Sequence, residues 1–314
     1  VTVVIAMGTG MSWQPTQEPE AAAPPNAALE MLILPRQRDL GDGFMVRRVL
    51  PFAKRRSVGP FVFFDHFGPT DFAAGTGLDV RPHPHIGLAT VTYLLEGEIL
   101  HRDNLGSVQP IRPGAVNWMV AGRGIAHSER TPPALRQAGS RLSGVQLWVA
   151  LPQAHEETAP SFTHHPAEAL PVAAEGGRRL RLIAGTLDGM AAPATLFTAL
   201  FCADVALEAG ASFTVSEEHA ERGVYVLSGA IGFGGARFEA GRLLVLHPGR
   251  REKVMAAAPA RLLLLGGAPL DGPRHIWWNF VSSSSARIEQ AKRDWREGRY
   301  PPVPGESDFI PLPA

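Results

Sequence analysis

Short runs of β-branched and aromatic residues recur along the chain, each closed by Gly, Pro or Asp. Phe61–Phe64, Ala89–Leu95 and Val145–Val149 are such runs and predict strands. Glu96-Gly97-Glu98 interrupts one run before Ile99-Leu100 resumes, and Arg112-Pro113-Gly114 precedes the run Ala115–Met119. Both predict turns between antiparallel strands, and the whole pattern predicts an all-β sandwich or barrel. One helical stripe stands apart near the end, where Ile288, Ala291 and Trp295 share a face. The serine run Ser282–Ser285 supplies an N-cap and Gly298 and Pro301 close the stripe, so the spacing predicts a helix over about 284–297.

A weak internal repeat sets the domain count. Tyr93-Leu-Leu-Glu-Gly97 is echoed by Tyr225-Val-Leu-Ser-Gly229, an offset of 132 (225 minus 93). Each is followed by a Gly-led strand, Gly114–Trp118 and Gly241–Val245, at an offset of 127 (241 minus 114). Agreement in order and spacing predicts two copies of one β unit, a duplicated jelly roll.

Composition narrows the function classes. A chain of 314 residues with 45% apolar residues can bury two ordinary cores. Lys and Arg total 30, as do Asp and Glu, so no net positive field gathers phosphates, and neither direct nucleic-acid binding nor membrane binding is expected. Cys202 is the single cysteine, which excludes an internal disulfide and fits a reducing cytoplasm. The segment Val1–Met7 is apolar but short and lacks a positively charged leader, so it predicts neither a signal peptide nor a membrane span. Residues Gly8–Asn26 are rich in Pro, Ala, Glu and Gln and read as a disordered extension, with the fold expected to begin near Met31.

The candidate chemistry lies in the first copy. His83-Pro84-His85 puts two imidazoles at i and i+2, the same face of an extended strand, and His127-Ser128-Glu129 does the same for an imidazole and a carboxylate. Two such pairs on facing strands converge on a point. Three neutral nitrogens and one anionic oxygen suit one divalent transition metal, Fe, Mn, Co, Ni, Cu or Zn, and are too nitrogen-rich for Mg or Ca. Alone, an H-x-H flanked by prolines is more often a surface turn than a ligand pair; the second pair, reached through the glycine-dense Ala121–Ala126, is what raises it. Asp65, His66, Glu98 and His101 either line the same cavity or satisfy turns and strand ends.

These motifs resemble the pirin family. The similarity is carried by Arg81–Glu98 (RPHPHIGLATVTYLLEGE), His101-Arg102-Asp103, Asn117–Glu129 (NWMVAGRGIAHSE), Gly59–Pro69 (GPFVFFDHFGP), Gln146-Leu147-Trp148 and Arg274–Val281 (RHIWWNFV). It implies two tandem cupin domains: an extension over 1–30, a metal-bearing N-terminal cupin over 31–155, a linker over 156–178, and a metal-free C-terminal cupin with the helix over 179–314. It also implies one iron ion held by His83, His85, His127 and Glu129. Many cupins and pirins keep a glutamate near position 89, where this chain has Ala89. Shifting His83 and His85 by 132 lands on Val215 and Glu217, and shifting His127 and Glu129 by 127 lands on Val254 and Ala256, so no second cage is expected. His219 and His247 read as structural.

Two functions follow from the resemblance. Several bacterial pirins are similar to flavonol dioxygenases that open quercetin and release carbon monoxide, which implies a small aromatic substrate; Glu129, the only anionic group of the expected cage, is then the candidate catalytic base. Animal pirins act as iron- and redox-dependent transcription co-regulators and some bacterial ones bind metabolic enzymes, which implies a protein partner instead. A cytoplasmic monomer is expected in either case.

Overall fold

The computed structural model describes residues 20–22, 26–39 and 44–313. Residues 1–19 and 23–25 of the expected extension lie outside the described residues. The architecture is all-β, with two jelly rolls and a C-terminal helix, as the strand and turn pattern predicts.

The first jelly roll is a seven-stranded sheet facing a four-stranded one. The larger sheet runs in the order Ser161–His165, Val116–Val120, Leu88–Glu96, Ser140–Ala150, Phe61–Phe72, Met45–Leu50 and Arg36–Asp39. The smaller runs Asp79–His85, Ile125–Arg130, Ile99–Asp103 and Val108–Ile111. The second jelly roll repeats the central part of this order, with a nine-stranded larger sheet. Its larger sheet contains Leu243–Leu246, Glu221–Ser228, Ala260–Gly267 and Leu200–Leu207 in sequence, and its smaller one Ser212–Val215, Glu252–Ala256, Ala230–Phe233 and Ala236–Glu239. The duplication inferred from two short echoes therefore extends to the core strand order of both larger sheets and to all four strands of the smaller ones.

The echo itself has a physical cause. Gly97 and Gly229 close equivalent hairpins with φ of 87° and 75°. A Cβ on either would meet a backbone carbonyl oxygen, that of Arg141 at 2.4 Å or of Pro259 at 2.1 Å, so only glycine fits. The paired tyrosines face outward from their barrels into the seam between the two copies. There Val91, Val116, Trp118, Val145 and Leu147 of the first copy meet Ile183, Cys202, Leu243, Val245 and Leu263 of the second in one apolar cluster. Within it, Tyr93 Oη donates to Asp204 Oδ2 at 2.7 Å, and Tyr225 Oη lies 3.1 Å from His66 Nδ1. Each tyrosine thus reaches across to the other copy, satisfying a buried hydroxyl that would otherwise carry a desolvation cost of about 1–3 kcal/mol.

Sheet membership departs from the expected division in three places. Leu29–Leu34, expected at the start of the first domain, pairs with Leu243–Leu246 of the second copy and with Glu20–Ala22, so ordered structure also begins before Met31. Leu243–Leu246 is buried throughout and would otherwise be an open apolar edge. The expected linker carries strand Ser161–His165 on the first sheet and Val172–Glu175 on the second. Finally, the chain after Arg274 returns to the first copy. The hairpin His275–Trp277 and Phe280–Ser282 lies against the outer strand of its smaller sheet, with a bridge between Ile86 and Phe280. Helix Ser285–Arg296 follows, capped by Ser284, whose side chain accepts from Arg287 N. Its buried Ile288 and Ala291 pack on Ile86, Trp278 and Phe280, with Trp295 alongside, which is the face the stripe predicts.

Candidate metal centre

Strand alternation and register build the site. His83 and His85 point to one face of Asp79–His85, and His127 sits directly opposite His83 on the neighbouring strand. On the other side of that strand, His127 faces Asp103 and Glu129 faces His101. A register shift between His127 and Glu129 marks an irregularity in the ladder at the site. The three imidazoles cluster with ring centroids 4.5 Å apart for His83–His127, 4.9 Å for His83–His85 and 5.0 Å for His85–His127. All are buried, as are His101, Asp103 and Glu129.

The hydrogen bonds fix which nitrogens face inward. His83 Nδ1 lies 2.9 Å from the carbonyl oxygen of Arg81 and His85 Nδ1 3.2 Å from that of Asn279. A carbonyl only accepts, so both imidazoles carry their proton on Nδ1 and present a bare Nε2. His83 Nε2 is buried with no hydrogen-bond partner among the described residues, and His85 Nε2 lies 3.1 Å from His127 Nε2. Burial pushes His83 down to about 4 and holds His85 and His127 well below the usual imidazole range, so all three stay neutral. Convergent, buried imidazole nitrogens, one of them without a hydrogen-bond partner among the described residues, form a donor set whose chemistry fits a divalent transition-metal ion.

Glu129 occupies an adjacent position. Among the described residues two groups of ligand atoms lie within 4.8 Å of one another: His83, His85 and His127, and then His101, His127 and Glu129. The structure thus brings the three predicted histidines together and groups the predicted carboxylate with His127 and His101. Thr92 Oγ1 donates to Glu129 Oε1 at 3.0 Å and lies as close to the side-chain amide of Gln146. Burial pushes the Glu129 carboxyl up, opposed by His101 and by the Thr92 hydrogen bond. Closer to the histidines, Trp148 packs edge-on against His85 and stacks on Phe63 at 4.0 Å.

The remaining candidates separate cleanly. Asp65 pairs with Arg48 through two 2.7 Å bonds, His66 faces the seam, and Glu98 pairs with the exposed Arg112. Only His101 joins the site. Ala89 lies in the seam cluster with Val91 and Tyr93, on the strand face turned away from the imidazoles, so the missing glutamate costs the cage no ligand. His219 Nε2 donates to Thr186 O and its ring stacks on Phe201, and the His247 carbonyl accepts from Arg222, both structural roles. Sequence reasoning missed Asp103, Thr92 and the Asn279 carbonyl. The first was visible as a third i, i+2 pair, His101-Arg102-Asp103; a backbone carbonyl supplied from 194 positions along the chain leaves no such signal.

In the second copy, register places Phe213 opposite Val254 where His83 faces His127, and Ile231 opposite Ala256 where His101 faces Glu129. The true shift for the His83 strand is 130 (213 minus 83), not 132, because the following turn holds two more residues in the second copy. His83 and His85 therefore correspond to Phe213 and Val215. These five positions join one apolar cluster, so none of them offers a metal ligand.

The comparisons with known proteins agree. Residues 43–149 match the Pirin family and residues 202–301 the Pirin C-terminal cupin domain. A pirin-like protein of Caulobacter vibrioides is 48% identical over 290 residues, covering 91% of this chain and 99% of its own. A Pseudomonas aeruginosa protein named as a candidate quercetin 2,3-dioxygenase is 44% identical over 265 residues, 84% of this chain and 82% of its own. A crystal structure of quercetin 2,3-dioxygenase from Acinetobacter baumannii superposes with a TM-score of 0.83 at 34% identity, covering 90% of this chain and 94% of the other. With both halves matched and the topology shared, the chain belongs to the pirin family of two-domain cupins.

Proposed function

We propose that this protein is a metal-dependent dioxygenase that opens quercetin-like flavonols, using one divalent ion, iron by expectation, on His83, His85 and His127. The observation that carries the reading is the convergence of three buried, neutral imidazoles, two of which, His83 and His85, have their Nδ1 protons committed to backbone carbonyls, leaving their Nε2 lone pairs directed toward the cluster. The relatives named for quercetin dioxygenation supply the substrate class. Bound there, a redox-active ion supplies Lewis acidity and electron exchange with dioxygen. The stoichiometry is one flavonol and one dioxygen giving one ring-opened ester and one carbon monoxide, with no external reductant.

The flavonol hydroxyl must lose its proton before its oxygen can act as an anion. Glu129 takes that role in this proposal: a carboxylate offers a lone pair beyond the one that accepts from Thr92, whereas the imidazole nitrogens are fully committed. Its burial excludes bulk water as a competing proton acceptor. The Phe63–Trp148 stack offers aromatic surface beside His85.

Oxygen uptake and carbon monoxide release with quercetin test the reading directly. Glu129→Gln in metal-saturated protein should slow turnover by roughly 10²- to 10⁴-fold, the range for losing a general base. Near-normal turnover would remove Glu129 as the base. No oxygen uptake by the metal-loaded native protein would refute the dioxygenase and favour a regulatory, partner-binding role.

A further inference from the structure

We propose that Asp103, acting through His101, is a positioning residue that fixes the proton of His127 on Nδ1 and so turns its Nε2 lone pair toward the ion. This rests on the reading of His83, His85 and His127 as metal ligands. For His83 and His85 the proton is placed by a carbonyl, which can only accept. The partner of His127 Nδ1 is different: it is His101 Nδ1, 3.3 Å away, and an imidazole nitrogen can either donate or accept. Something must make it an acceptor.

Asp103 does so. Its Oδ2 lies 3.1 Å from His101 Nε2, and a carboxylate only accepts, so the His101 proton sits on Nε2 and Nδ1 is left bare. The carboxylate cannot turn away, because Oδ1 accepts from the backbone nitrogens of Leu105 at 2.9 Å and Ser107 at 3.0 Å. Nor can the His101 ring swing freely: Phe162 stacks on it at 4.2 Å with 10° between planes. A carboxylate thus orients one imidazole, which orients a second, which faces the metal position. Hydrogen-bond partners behind metal-binding histidines commonly set the tautomer and the basicity of the ligand, and losing them costs about 10- to 100-fold in metal affinity.

Asp103→Asn reverses the chain without changing its shape. The amide oxygen must stay with the two backbone N–H groups, so the amide nitrogen faces His101 Nε2 and can only donate. His101 then carries its proton on Nδ1, His127 must accept there, and the His127 proton moves to Nε2, into the cage.

Two measurements on the full chain read this. In metal-free protein, imidazole ¹⁵N NMR should find His127 protonated on Nδ1 in the native chain and on Nε2 in Asp103→Asn. Co(II) affinity, measured against a competing chelator, should fall about 10- to 100-fold in Asp103→Asn. In a His101→Phe background, where no relay is left to reverse, the same substitution should change affinity less than twofold. An unchanged His127 tautomer in Asp103→Asn, or an equal loss in the His101→Phe background, overturns the proposal. A tautomer switch in a protein whose native form binds no Co(II) would uphold the relay and refute the metal reading instead.

Discussion

The two barrels share one topology and differ in what fills them. In the first, His83, His85, His101, His127 and Glu129 converge inside, with Thr92 and Gln146 behind the carboxylate. In the second the equivalent positions are Phe213, Val215, Ile231, Val254 and Ala256, with Val224 and Leu264 for Thr92 and Gln146, and all seven join one apolar cluster. The jelly roll is therefore a frame that tolerates either a polar, ligand-bearing interior or a hydrocarbon one. The lesson is about cost: apolar filling stabilises the second barrel outright, while the first buries polar groups that need partners or an ion. A second difference accompanies the first. The chain's last forty residues leave the apolar barrel and pack against the polar one. There Glu306 accepts from Ser128 Oγ at 2.7 Å and ion-pairs with Arg130, and Ile310 N donates to Pro82 O at 2.8 Å. The anchored residues 82, 128 and 130 alternate with the inward-facing His83, His127 and Glu129, so the tail braces the site strands from outside.

The comparison can be broken most forcefully by removing that brace. Truncation after Val281 strips Ile288, Ala291 and Trp295 from their apolar cluster and uncovers Phe280 and Trp278, and should lower stability by about 5 kcal/mol or more. Thermal unfolding measures it, and an unchanged midpoint would mean the tail is only an appendage. Metal affinity should fall in the same variant, because the brace belongs to the polar barrel.

Exchanging the fillings sharpens the contrast. Phe213→His with Val254→His recreates the facing histidine pair in the apolar barrel but supplies neither Nδ1 acceptors nor a carboxylate at Ala256. It should cost about 3 kcal/mol or more for burying unpaired polar groups and create no second metal site. Denaturant unfolding and metal titration of the double variant check both halves of that expectation.

A smaller, pH-dependent effect arises where the barrels meet. Burial, with Arg47 nearby, pushes His66 down to about 4 in the folded protein, whereas it titrates near 6.5 when unfolded. The unfolded chain therefore binds the extra proton first as pH falls. His66 contributes stability that is present above about pH 6.5 and is lost progressively toward pH 4, up to about 3 kcal/mol. His66→Gln keeps a partner for Tyr225 and should flatten this part of the stability–pH curve; a curve of unchanged slope would assign the acid sensitivity elsewhere.

Much of this was legible in the sequence because it is written in local periodicities. The i, i+2 pairs specified three converging imidazoles, the tyrosine–glycine echo specified the duplication, and the serine cap with its apolar stripe specified the helix. What escaped is what depends on register and on distant segments. The strand Leu29–Leu34 reads like any first strand, and only pairing with Leu243–Leu246 reveals that it serves the second barrel. Glu129 was placed in the cage by alternation, yet its carboxylate is held by Thr92 beside His101, a detail set by a register shift that alternation cannot foresee.

The central claim, one metal-holding barrel and one that cannot hold any, is tested most directly by metal stoichiometry. Elemental analysis of the purified, metal-loaded protein should find one transition-metal ion per chain, lost in the His83→Ala, His127→Ala double variant while the apolar barrel stays folded. Two ions per chain, or one ion retained by the double variant, would contradict it.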